Sequence, residues 1–134
     1  MSDETKNKPF GLHLMLEAYG CPTEILNDMN TVYKILDDLP SHIGMHKLME
    51  PYVISAKGND QRDPGGWSGF VIIQESHISI HTFVKRGFVT ADVYSCKEFD
   101  TQFAIDYFKK ALKTDDIEYS IEERGKRYPP DNID

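Results

Sequence analysis

The chain has 134 residues, a formal net charge of −7, 40% hydrophobic and 28% charged residues, as expected for one globular domain with its own core. The acidic balance argues against a nucleic-acid partner, because lysine and arginine form no clustered basic footprint. No apolar run approaches the roughly 18 residues of a membrane span, and the residues before Phe10 are polar. We therefore expect a cytoplasmic protein without a membrane partner. Cys21 and Cys96 are the only cysteines, and we expect them to be free thiols.

The first third of the chain predicts a strand followed by a helix. We expect residues 1–9 to be a disordered leader. Apolar residues alternate over 10–19, which predicts a half-buried strand; they are Leu12, Leu14, Leu16 and Ala18. Thr23 is placed to cap the next element. Apolar residues then recur at helical spacing from Ile25 to Leu36, and we expect the helix to end before Pro40.

The rest of the chain is predicted to be mainly strands. We expect one strand within 48–55 and a polar loop over 56–66. The β-forming run over 68–84 would span roughly 55 Å as a single strand, too long for this domain, so we expect a break at Glu75–Ser76. A strand over 88–94, a helix capped by Asp100 or Thr101, and a strand over 117–121 follow. A polar tail is expected over 126–134, so the domain itself is predicted to cover 10–125.

The predicted order, β-α-β-β-β-β-α-β, indicates an α+β fold. The expected architecture is a two-layer sandwich, in which two helices cover one face of a mainly antiparallel sheet. The other face of the sheet also carries apolar residues. A symmetric dimer would cover that face and give four layers in the order αββα, so we expect a homodimer.

The stretch from Gln74 to Thr82 carries two histidines, three hydroxyl residues and a carboxylate in nine positions. A serine can attack its own preceding peptide carbonyl, if the peptide is strained and the oxyanion is stabilised. A nearby histidine can then remove a proton and drive chain cleavage. Ser76, His81 and a second hydroxyl such as Ser68 would suffice. Ser76 and His81 would face opposite sides of one flat strand, an objection that the predicted break would remove.

Plainer interpretations exist for the same residues. His77 and His81 are four apart and could share a strand face as metal ligands, but without a third ligand nearby we expect no metal site. His77 would then be structural or line a pocket. Cys96 could be a small buried hydrophobic residue. His13 and Glu17 share a strand face with Met15 and could line either the dimer interface or a site.

The segment Glu75–Thr82 resembles the self-cleavage motif of the prokaryotic S-adenosylmethionine decarboxylases, which are pyruvoyl enzymes. Similar stretches cover roughly residues 10–125; they run from Gly11 to Leu14, from Tyr19 to Cys21, from Trp67 to Phe70 and from Ala91 to Cys96. The resemblance implies a proenzyme cut between Glu75 and Ser76 into chains 1–75 and 76–134. Ser76 would become the pyruvoyl cofactor.

The same resemblance implies the other roles in the chemistry. Ser68 and His81 match the family's processing residues, with His81 removing the α-proton of the ester intermediate. Cys96 matches the proton donor. The substrate amine would form a Schiff base with the pyruvoyl carbonyl and lose carbon dioxide. The product of such an enzyme supplies aminopropyl groups for spermidine and other polyamines.

Two departures from the family pattern concern the substrate. The family has a proline and a ribose-binding glutamate where this chain has Val84 and Lys85, and a charged lysine cannot accept hydrogen bonds from a diol. The adenine-stacking aromatic residue is also missing, although Arg62, Tyr52 or Trp67 could replace it. A pyruvoyl-dependent L-arginine or L-ornithine decarboxylase is therefore an alternative. A non-cleaving relative with a binding role is a second one.

Overall fold

A computed structural model describes residues 8–59 and 61–129. It contains one six-stranded antiparallel sheet. The strands are β1 (Gly11–Tyr19), β2 (Tyr52–Lys57), β3 (Gly65–Ile73), β4 (Ser76–Phe83), β5 (Phe88–Ser95) and β6 (Asp116–Arg124). The helices are α1 (Thr23–Leu26), α2 (Met29–His42) and α3 (Thr101–Leu112), and one 3-10 turn covers Val84–Arg86. The predicted α+β class is confirmed.

The strand order β2-β3-β4-β5-β1-β6 places the β3–β4 hairpin and β5 side by side. Residues on one sheet face are buried under α2 and α3 at every second position, as the alternation in β1 predicted. Leu14, Ile80 and Val93 are examples from three neighbouring strands. The helices contribute Leu36 and Phe108 to the same core.

The opposite sheet face has no helix over it in the described part of the chain. Large apolar side chains on this open face remain exposed near one edge; they are Tyr52, Ile54, Phe70 and Ile72. An apolar patch of this kind on a small domain marks an interaction surface.

The first predicted helix differs from the observed one at both ends. The chain forms a single turn at Thr23–Leu26 and then a separate helix, whose first turn is capped by Asp28 instead of Thr23. The Asp28 side chain accepts a hydrogen bond from the Asn30 amide at 2.9 Å. The prediction that the helix ends before Pro40 is wrong, because α2 continues to His42 with Pro40 buried in its last turn. Packing of the buried Pro40 ring outweighs the one helical hydrogen bond that its missing N–H removes.

The remaining boundary errors are small. The strand predicted within 48–55 starts four residues later and extends to Lys57, so the loop before β3 shortens to 58–64. The predicted break at Glu75–Ser76 is correct, since Gln74 and Glu75 form the turn between β3 and β4. Most of the predicted leader and the end of the predicted tail lie outside the described residues. Within the tail, the Tyr128 ring packs 4.6 Å from the Phe10 ring.

Candidate active site

Ser76 is the first residue of β4 and has a strained backbone. Its φ of 152° lies in a region that residues other than glycine rarely occupy. Such a conformation costs on the order of 1–3 kcal/mol and persists only where the surroundings enforce it. Here the enforcement comes from both sides, because Ser76 pairs with Ile73 across the hairpin and with Ser95 on β5. The strain therefore lies at the peptide that the sequence marks for cleavage.

The carbonyl of that peptide has a fixed hydrogen-bond donor. The amide N–H of Cys96 donates to the Glu75 carbonyl oxygen at 2.8 Å. This oxygen would become the oxyanion if the Ser76 hydroxyl attacked the Glu75 carbonyl carbon, and a preorganised N–H stabilises such a charge. The sequence pointed to the Cys96 thiol but gave no signal for its amide, because the contact joins residues 21 positions apart.

Cys96 is exposed and held in place through its neighbours. Ser95 is fully buried, and its hydroxyl accepts from the Lys97 amide at 2.9 Å and donates to the Lys97 carbonyl at 2.8 Å. Gly11 packs directly against this turn. A Cβ at position 11 would lie 2.3 Å from the Ser95 carbonyl oxygen and 2.9 Å from Cys96 Cα, so only glycine fits there.

The Glu75 side chain is buried, with only 9% of its surface exposed. One carboxylate oxygen accepts from the His46 amide at 3.2 Å, and the other lies 3.3 Å from His46 Nδ1. Burial by itself would raise the pKa of the Glu75 carboxyl. The hydrogen bonds from His46 outweigh burial and hold that pKa below its usual value. The carboxylate is therefore charged at neutral pH.

Ser68 and His81 form a second pair on the open sheet face. They are directly opposite each other on β3 and β4, with Ser68 Oγ 2.8 Å from His81 Nδ1. Both Ser76 and His81 lie on the single strand β4, so the break before Ser76 does not bring them together as expected. Five residues of strand separate them by roughly 16 Å. Within one chain, the structure does not bring this pair to the cleavage site.

Cavities lie near the described site residues at both ends of the sheet. A cavity of about 620 Å³ adjoins Cys96, with Glu98, Glu123 and Tyr128 among its lining residues. The predicted substrate residues are elsewhere. Trp67 and Lys85 line a cavity of about 350 Å³, and Arg62 lines one of about 560 Å³ together with the aromatic rings of Tyr19, Phe83 and Phe88. Tyr52 lies on the open face, with its ring 5.8 Å from that of Phe70.

His13 and Glu17 lie on the open face within a charged network. His13 Nε2 is 2.8 Å from Asp92 Oδ1, and its other ring nitrogen is 3.2 Å from the Arg124 guanidinium. Arg124 in turn stacks over the Tyr94 ring at 4.5 Å. Burial raises the pKa of Glu17, and the negative charges of Glu118 and Asp92 raise it further. This network lies on the open face of the sheet, beside β5 and β6.

His77 packs edge-on against Tyr94, with the ring centres 5.5 Å apart. Within residues 8–59 and 61–129, no group of three or more metal-ligating side chains is close enough to hold a metal ion. No described helix is both long enough and apolar enough to cross a membrane.

The chain as a whole matches known decarboxylases. Residues 12–125 match the family model described as S-adenosylmethionine decarboxylase. Two similar proteins are named S-adenosylmethionine decarboxylase proenzyme. The protein from Persephonella marina is 32% identical over 88% of this chain and 84% of its own length. The protein from Anoxybacillus flavithermus is 36% identical over 76% of this chain and 77% of its own length. The crystal structure of adenosylmethionine decarboxylase from Aquifex aeolicus superimposes with a TM-score of 0.74 at 28% identity, covering 88% of this chain and 92% of that one.

A two-layer α+β domain with a strained serine peptide at a hairpin turn is the kind of structure expected of a self-cleaving enzyme precursor. The match over 12–125 then fixes the family. This chain belongs to the S-adenosylmethionine decarboxylase family, whose pyruvoyl group comes from self-cleavage at a serine.

Proposed function

We propose that the protein is a self-processing, pyruvoyl-dependent S-adenosylmethionine decarboxylase that supplies aminopropyl groups for polyamine synthesis. Its pyruvoyl group would come from Ser76. The observation that carries the proposal is the pairing of the strained Ser76 backbone with a Glu75 carbonyl already hydrogen-bonded to the Cys96 amide. Retention of Ser68, His81 and Cys96 together supports it.

Cleavage would start with attack of the Ser76 hydroxyl on the Glu75 carbonyl carbon. The carbon–nitrogen bond breaks and an ester replaces the amide, which releases the strain at Ser76. A base then removes the Ser76 α-proton, and the ester oxygen leaves by elimination as the new main-chain carboxylate of Glu75. Water converts the remaining enamine of residue 76 to a ketone and releases ammonia.

The residues around Ser76 could support decarboxylation by a pyruvoyl group formed at that position. The pyruvoyl group supplies a ketone that condenses with the substrate amine and accepts the electron pair released with carbon dioxide. The Cys96 thiol is exposed beside the 620 Å³ cavity, where it can return a proton to the substrate α-carbon. Glu98 and Glu123 outnumber Lys8 among the charged residues that line the same cavity, so it would attract a positively charged substrate.

We further propose that the active site is completed by a second copy of the chain. The base that fits the elimination step is His81, hydrogen-bonded to Ser68, but it lies roughly 16 Å from Ser76 along β4. Two copies packed through their open faces in antiparallel orientation would bring the pair of one copy to the end of β4 that carries Ser76 in the other. Exposed apolar side chains support this packing; Tyr52 is 53% exposed and Ile54 50%.

An L-arginine or L-ornithine decarboxylase is the second candidate. The observation behind it is Lys85, which lines a cavity with Trp67 at the sheet end that carries Ser68 and His81. In the proposed dimer Lys85 would face the substrate where the family has a diol-binding carboxylate, so the ribose of S-adenosylmethionine would lose an acceptor that an amino acid without a diol does not need. The cleavage chemistry is the same for either substrate.

Two measurements test the proposal. Denaturing electrophoresis should give two chains, 1–75 and 76–134, with the second blocked to Edman sequencing, while Ser76→Ala should give one folded, inactive chain. Release of labelled carbon dioxide should then be compared for S-adenosylmethionine, arginine and ornithine. Wild-type protein that stays in one piece and releases no carbon dioxide from any of them would support a binding protein instead.

A further inference from the structure

The side-chain carboxylate of Glu75 is a buried charge that the proposed cleavage chemistry does not use. Only three polar residues are buried in the described part of the chain, and Glu75 is the only one that carries a charge. A buried carboxylate is costly unless it is well hydrogen-bonded. Both of the side-chain hydrogen bonds to Glu75 come from one residue, His46.

His46 also holds the residue before Glu75. Its carbonyl accepts from the Gln74 amide at 2.7 Å, so it contacts both residues of the β3–β4 turn. Two residues further along, the Leu48 amide donates a hydrogen bond to the Ile72 carbonyl near the end of β3 at 2.9 Å. The segment around His46 thus runs beside the end of β3 like a short additional strand.

The same segment holds the other half of the site. The Ser95 hydroxyl is 3.4 Å from the Met45 sulfur, and the Lys97 ammonium donates to the Gly44 carbonyl at 3.0 Å. Residues 44–46 therefore connect the turn that carries the scissile carbonyl to the turn that carries the Cys96 amide. Glu75 and Cys96 cannot shift independently while these contacts are in place.

We propose that His46 is a positioning residue for self-cleavage, which fixes the Glu75 side chain so that the Glu75 carbonyl stays on the Cys96 amide. This inference depends on the proposed cleavage at Glu75–Ser76. A reacting carbonyl gains rate from correct orientation, and small displacements are costly. Without the side-chain anchor, the turn can relax and lose both the alignment and the strain at Ser76.

The chain offers clean variants for a test. The His46 side chain is 77% exposed, so His46→Ala leaves no cavity and keeps the backbone N–H that Glu75 also uses. His46→Asn restores a short side-chain donor. His42 is the matched control, because it is also an exposed histidine beside a carboxylate, with Nε2 3.2 Å from Asp38, but it lies on α2 away from the site.

The experiment is a pulse–chase in cell-free translation of the full chain, with conversion to the two fragments followed by electrophoresis. We expect His46→Ala to slow cleavage about three- to tenfold, as loss of one solvent-exposed hydrogen bond of ordinary strength implies. We expect Glu75→Gln to be slowed as well, His46→Asn to recover to within about twofold of wild type, and His42→Ala to match wild type. Thermal midpoints measured with Ser76→Ala added, so that every chain stays uncut, should agree for His46→Ala and His42→Ala.

Each outcome decides the question. If His46→Ala and His42→Ala cleave at the same rate as wild type, the positioning role is refuted while the proposed function stands. His46 has only a structural role if three results coincide. His46→Ala is cleaved slowly, its thermal midpoint falls well below that of His42→Ala, and His46→Asn does not recover the cleavage rate. If wild-type protein itself is never cut, the proposed function fails and this inference fails with it.

Discussion

The proposed active site contains residues from two copies of the chain, and we call it the composite site. It predicts how dimers of two different variants should behave. If the Ser68–His81 pair acts on Ser76 of the other copy, His81→Ala and Ser76→Ala should complement each other. In a mixed dimer, the intact Ser76 of the first chain meets the intact His81 of the second. If His81 acted within its own chain, neither chain of that dimer could be cut.

The expected yield follows from the geometry and from random pairing. Ser76 and His81 are separated by roughly 16 Å along β4, several times the reach of a hydrogen bond. Equal amounts of two chains that associate at random give about half mixed dimers. About half of the His81→Ala chains should therefore be cut, compared with essentially none when that variant is expressed alone.

The assay is co-expression of two differently tagged variants, followed by immunoblotting for the fragments. The matched control replaces Ser76→Ala by the double variant Ser76→Ala/His81→Ala, which forms the same dimers but leaves no intact His81 in either chain. Cleavage should then disappear. No cleavage in the original mixture, with mixed dimers demonstrated by pull-down, would refute the composite site.

Three further predictions concern single residues. Cys96→Ala should still be cut, because its amide remains to hold the Glu75 carbonyl, but should release carbon dioxide at least about tenfold more slowly; normal turnover would remove the thiol from the mechanism. Lys85→Glu should raise kcat/KM for S-adenosylmethionine relative to arginine and ornithine, and an unchanged ratio would count against a substrate contact. Burial raises the pKa of the Cys21 thiol from 9.0 to about 11, so the folded state retains a proton that the unfolded state loses over that pH range. Stability should fall as pH rises from 9 to 11, more in wild type than in Cys21→Ala, and parallel thermal midpoints would contradict this.

The order of elements and the two-layer class could be read from the sequence, because they depend on local periodicity. The alternation around Leu14 and Leu16 and the helical spacing before Phe108 each reflect one buried face, which is a property of a few neighbouring residues. The errors occurred where a competing contact decided the boundary. Pro40 was predicted to stop α2, yet the helix continues to His42, because burial of the Pro40 ring in the core outweighs the hydrogen bond that proline removes.

For the candidate site, residue order alone was enough to identify the groups that could react: a serine after a glutamate at a predicted strand break, a histidine–serine combination and a cysteine. Which of these groups meet depends on how the strands pair. Strand pairing placed the Cys96 amide on the Glu75 carbonyl and separated His81 from Ser76, although His81 is the nearer of the two to Ser76 in sequence. The reason is physical. Along one extended strand, each residue adds about 3.3 Å to the distance between two residues, so even close sequence neighbours end up far apart. Hydrogen bonding between strands, in contrast, joins residues that are distant in sequence.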